Sequence, residues 1–192
     1  MSQDQNPDFV RRDELVALLA SRSRLKRQEA SHELSAMARA NRESMAEVAD
    51  ALVRALELPE AQTRWECLDA LSEVVLVDPT CAHEAFEGAE EALFDEVSAA
   101  AHLSAFRFLS RYGSLGHEES LRAWPLMREA LQCYHGDPEY REMLICLREF
   151  ARGEIAPEVG EALAERMSFD AKSGAGFYRA YSAEIVSTLR KA

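Results

Sequence analysis

Val, Ile and Thr supply only 16 of the 192 residues, whereas Ala, Glu, Leu and Arg supply 97. A multi-stranded sheet needs β-branched residues to pack its pleated surface, and a chain this poor in them cannot furnish one. The four abundant types lose little side-chain freedom in a helix, so the predicted fold is all-α. The length suits one domain with a continuous core, over residues 1–192, with residues 1–8 expected to be disordered. No apolar run approaches the ~20 residues of a membrane span. The opening MSQDQNPDF lacks the basic and apolar regions of a signal peptide, which predicts a cytoplasmic chain.

Prolines and glycines cut the chain into helix-sized pieces. Asp78-Pro79 and Asp137-Pro138 read as helix starts, with Asp capping and Pro in the first turn. Gly113, Gly116, Gly136 and Gly153 mark further breaks. The pattern predicts helices at 9–21, 24–40, 43–57, 60–77, 80–94, 96–112, 118–134, 138–152, 157–167 and 175–190, joined by short connections. Pro125 is expected to interrupt the 118–134 helix.

A repeat runs through these helices. A small or apolar residue is followed four and seven positions later by apolar ones at Ala30/Leu34/Met37, Cys67/Leu71/Val74, Ala99/Leu103/Phe106 and Met143/Leu147/Phe150. An irregular period near 40 residues belongs to two-helix solenoids. A turn followed by Arg and then Leu recurs as Leu58-Pro59-Glu60 with Arg64 and Leu71, and as Asp137-Pro138-Glu139 with Arg141 and Leu147; Arg27, Ala30 and Leu34 form an N-terminal copy. On these residues the chain resembles the HEAT/armadillo helical-repeat family. The resemblance implies a right-handed α-α superhelix of four to five helix pairs that presents a surface to a protein or peptide. It also implies that Arg27, Arg64 and Arg141 bind acidic or carbonyl groups between adjacent repeats. Some HEAT-like solenoids are DNA glycosylases, which stands as the enzyme alternative.

Catalytic motifs are missing from the sequence. Ser114 lies in Gly113-Ser114-Leu115-Gly116 between helices, not in a strand-to-helix elbow. Gly174-Ala175-Gly176 has neither a third glycine nor a following Lys-Ser/Thr, so no phosphate loop is expected. Glu29-x-x-His32 is half of a dimetal motif without a second half, and Cys67, Cys81, Cys133 and Cys146 lack ligand spacing. The chain is therefore read as a non-enzymatic scaffold or adaptor, with no metal and no cofactor.

Charge gives the sharpest functional expectation. The formal net charge is −12, which argues against a general nucleic-acid binder. Residues 1–54 hold nine basic and nine acidic groups, residues 55–100 one and twelve, and residues 101–192 twelve and thirteen. Like charges this dense repel one another unless something positive offsets them. Glu84, Glu87 and Glu91 share one helical face. The family resemblance places them in a groove, with Glu47 and Asp50 from the preceding pair, where they would take a basic segment. A solvated outer face is the competing reading. Trp124, beside Pro125, is read either as a ligand anchor or as a packed residue. Arg22, Arg24, Lys26 and Arg27 form a basic cluster that would meet an acidic partner or close the end of the repeat stack.

Overall fold

The computed structural model describes residues 7–96 and 98–191. Residues 1–6, most of the segment expected to be disordered, lie outside the described residues, while Pro7 and Asp8 open the first helix. The described residues form eleven α-helices and no strand. They are α1 (Pro7–Leu19), α2 (Arg24–Ala40), α3 (Arg42–Ala46), α4 (Ala49–Arg54), α5 (Ala61–Val74), α6 (Ala82–Leu93), α7 (Ala99–Gly113), α8 (His117–Cys133), α9 (Tyr140–Phe150), α10 (Pro157–Ser173) and α11 (Gly176–Leu189). Two short 3-10 turns, Ala55–Glu57 and Pro79–Cys81, join neighbouring helices. None of the described helices is long and apolar enough to cross a membrane.

Local chemistry explains most of the boundaries. Asp78 accepts a hydrogen bond from the Thr80 N–H at 3.1 Å, with Pro79 in the first turn. Pro157 opens α10, where its missing N–H costs nothing. The predicted 43–57 helix is instead broken into α3, α4 and a 3-10 turn. The cause is Arg12, whose buried guanidinium donates to the Ser44 carbonyl at 2.5 Å. That carbonyl would otherwise accept from Val48 N–H, which turns to the Met45 carbonyl at 3.1 Å. A side chain inserted into the i→i−4 ladder breaks it.

Pro125 does the opposite of what the sequence suggests, because α8 runs through it without a break. Both Pro125 and Leu121, whose carbonyl loses its partner four residues on, are exposed, so water can satisfy that carbonyl.

The chain divides into two compact units, Met1–Phe108 and Leu109–Ala192. In the first, α2 and α5 pack side by side, and α4 and α6 pack against α5. Leu34, Leu52, Leu68, Leu71, Leu93 and Phe106 are fully buried there. Nearly every residue of α5 from Thr63 to Val74 is buried, including Glu66, Asp69 and Glu73. In the second unit α11 packs against both α9 and α10. Tyr140, Leu147, Phe150, Leu163, Met167 and Ile185 form its core. Gly113 has no Cβ, which would lie 2.8 Å from the Phe150 ring, and so admits that ring. The repeat rows on α5 and α9 fall in the core, as do Ala30 and Leu34 of the α2 row, whose Met37 is half-buried. Of the predicted α7 row only Phe106 is buried, Ala99 being exposed and Leu103 half-buried, and Ala101, Ala105 and Phe108 are buried beside it.

Candidate functional site

The acidic block of residues 55–100 separates into two populations. One is tied down by groups lying 30 to 38 positions away, about one repeat. Arg27 of α2 binds Glu60, the residue that precedes α5, and also donates to the Ser21 carbonyl at 2.6 Å. This hydrogen bond holds the Glu60 carboxyl below its ordinary range, and Glu60 raises the guanidinium in return. Glu66 accepts from Ser31 Oγ at 2.7 Å and lies 3.0 Å from His32 Nδ1. Asp69 is held between Arg39 of α2, at 3.5 Å, and Arg107 of α7. Glu73 pairs with Arg42 at 3.5 Å. Arg64 reaches Asp95 at 2.9 Å and the Leu58 and Pro59 carbonyls at 3.2 Å.

Glu66, Asp69 and Glu73 occupy one face of α5 at i, i+3 and i+7; arginines reach Asp69 from both sides and Glu73 from one, and Glu66 is held by Ser31, His32 and Gln62. Each carboxylate is desolvated but paired, which is the condition for burying it at all. The sequence carries a signal for this ladder. Arg27 and Glu60, Arg39 and Asp69, and Arg42 and Glu73 are separated by 33, 30 and 31 positions. Testing basic and acidic residues one repeat apart would have found them.

The second population stays on the surface. Helix α6 buries Ala82, Ala85, Phe86, Ala89, Ala92 and Leu93, which leaves Glu84, Glu87, Glu90 and Glu91 exposed. None of these four forms an ion pair with another described residue. Glu91 reaches a depression of 310 Å³ that Glu57, Pro59, Arg64, Gly88 and Asp95 also line. Because Arg64 and Asp95 neutralise each other, the two glutamates give that hollow a net negative charge. Gly88 lets α6 approach the Ala55–Glu57 turn, since a Cβ there would lie 2.8 Å from Leu56 Cδ1.

The remaining predicted residues are dispersed. Glu47 is exposed but bonded to Arg12 at 2.9 Å, so its charge is already offset. Asp50 is exposed and close enough to Cys81, at the start of α6, to act on its thiol. Burial, then Asp78 and more weakly Asp50, push that thiol up to about 11. Trp124 is 6% exposed and belongs to the core of the second unit. Arg141 is exposed and pairs with no described residue, unlike Arg27 and Arg64. His32 faces Glu66 and not Glu29, its partner in the half-motif.

No protein-family model and no curated protein sequence matches the chain. Solved structures do. An engineered protein is similar over 94% of this chain and 96% of its own, with 16% identity and a TM-score of 0.64. A designed armadillo repeat protein in complex with a (KR)4 peptide covers 91% of this chain and 80% of its own, with 16% identity and a TM-score of 0.72. Computationally designed armadillo repeat proteins for modular peptide recognition reach 0.66 at 14% identity, covering 91% and 80%. The fold is thus an all-α, armadillo-like helical repeat.

Proposed function

We propose that this protein is a non-enzymatic peptide-binding scaffold whose α6 face receives a Lys- or Arg-rich segment, as a cytoplasmic subunit or adaptor of a larger assembly. The observation that carries this reading is the set of exposed, unpaired carboxylates Glu84, Glu87, Glu90 and Glu91, continuous with the acidic hollow at Glu57 and Glu91. Within the block, buried Glu60, Asp69 and Glu73 have arginines supplied internally and Glu66 has hydrogen-bond partners, while these have no ion-pair partner among the described residues. A cationic partner removes their mutual repulsion and gains a charge-assisted contact. Asp50 extends the face toward the start of α6. That a designed protein of this fold is known with a (KR)4 peptide supports the choice of partner by analogy.

The test uses a fluorescein-labelled (KR)4 peptide and the triple variant Glu84→Gln/Glu87→Gln/Glu91→Gln, read by fluorescence anisotropy. The wild-type protein should bind the peptide and weaken with rising salt, as steering by a charged patch requires. The variant should lose roughly tenfold or more in affinity, at about 0.5 kcal/mol for each exposed pair removed. Unchanged affinity with unchanged salt dependence would sink the proposal.

A further inference from the structure

Helix α9 presents Arg141, Ile145 and Arg148 along one stripe, and Arg152 follows in the turn beyond it. Facing them on α11 are Tyr181 and Glu184. Arg148 Nη2 lies 2.8 Å from both carboxylate oxygens of Glu184, and Arg152 Nη2 lies 2.7 Å from one of them. Two guanidinium groups thus converge on the single carboxylate of Glu184, with the exposed Glu149 acting on Arg148 more weakly from a distance. Arg141, two turns before Arg148, adds a third guanidinium. The Arg148 guanidinium also lies over the Tyr181 ring, 4.9 Å from its centroid, and Tyr181 neighbours Phe177 at 6.3 Å. Stacking fixes the plane of the guanidinium and so its donor directions. Its Nε–H is buried and has no hydrogen-bond partner.

We propose that this face of the second unit is a docking surface for an acidic peptide segment, whose carboxylates bind Arg141, Arg148 and Arg152 while an aromatic or aliphatic side chain rests on Tyr181 and Phe177. The occupant is identified by charge and by geometry. The group that Arg148 and Arg152 already hold is a carboxylate, and Arg141 stands about 10 Å from Arg148 along the helix. Alternate residues of an extended chain share a face at about 6.6 Å spacing, so a run of consecutive Glu or Asp brings carboxylates within side-chain reach of both positions. Glu184 is 36% exposed and Arg152 56% exposed, which leaves the pair open to a competing carboxylate. Glu184 then acts as an internal stand-in that an incoming acid displaces. The inference does not rest on the α6 reading, and the two surfaces take ligands of opposite sign.

The probe is a fluorescein-labelled octaglutamate peptide followed by anisotropy at about 0.15 M salt, where a Debye length near 8 Å screens the acidic remainder of the molecule. Removing the stand-in with Glu184→Gln should tighten binding by about twofold to fivefold, and Arg141→Gln/Arg152→Gln should weaken it by roughly the same factor or more. The α6 triple variant should bind octaglutamate as the wild type does, so a failure here is separable from a failure there. No binding, or a Glu184→Gln protein that binds no more tightly, overturns the proposal. So does duplex DNA competing as well as octaglutamate at equal charge, which would make the face a phosphate surface.

Discussion

Glu60 illustrates how single residues carry the repeat. Its carboxylate is buried at the entrance to α5 and held by Arg27 from the neighbouring helix. Because its value in the folded protein is depressed, the stabilisation it provides is present above the unfolded carboxylate value and is lost as pH falls through the folded one. Urea midpoints measured from pH 7 down to about pH 3 should therefore fall, and Glu60→Gln should flatten part of that fall while lowering the midpoint at pH 7. An unaltered pH profile in the variant would contradict the assignment. The sequence shows Arg27 at a repeat-equivalent position, and the one-repeat spacing of 33 residues to Glu60 is legible there only once the repeat is used to pair charges. Charge counts pool all carboxylates, and only the packing of α2 on α5 separates those already neutralised from those facing water.

Between helices, backbone geometry sets the strongest constraints. Gly153 N–H and Glu154 N–H lie in the turn after α9, where Glu154 donates to the Ser114 carbonyl at 2.9 Å. A Cβ on Gly153 would lie 2.4 Å from that carbonyl oxygen and 2.7 Å from Ser114 Cα, both backbone atoms that cannot rotate away. Gly153→Ala should therefore cost about 1–3 kcal/mol, read as a lower urea midpoint. Pro125→Ala should do the reverse. It restores the N–H that the Leu121 carbonyl lacks, worth up to ~3 kcal/mol in a helix interior, less about 1 kcal/mol from the freer unfolded chain. A net gain near 2 kcal/mol should raise the midpoint, and a loss would mean that Pro125 makes a contact worth more than the bond. Proline and glycine punctuation made most helices legible within a few residues. The break between α3 and α4 was not legible, because the group that makes it, Arg12, lies 32 positions before Ser44.

Across the whole chain, composition alone foretold the all-helical fold, since sixteen β-branched residues leave no other option. The period near 40 foretold the repeat architecture that solved structures share. What composition could not foretell is how stability is shared along the chain. The division into two compact units falls between Phe108 and Leu109, inside the continuous helix α7. In repeat proteins each element is stabilised by its neighbours, so a helix common to two units couples their unfolding. Breaking α7 at its middle also exposes unbonded helix ends, which adds to the cost of unfolding one unit alone. We therefore expect residues 1–192 to unfold as one cooperative domain. The protein carries its own reporters, because Trp65 lies in the first unit and Trp124 in the second. In Trp124→Phe the fluorescence follows Trp65, and in Trp65→Phe it follows Trp124. After correction for each variant's stability by circular dichroism, the two urea transitions should coincide in midpoint and slope. Two separated midpoints, with the circular dichroism curve breaking into matching steps, would establish two independent domains and end the single-domain proposal.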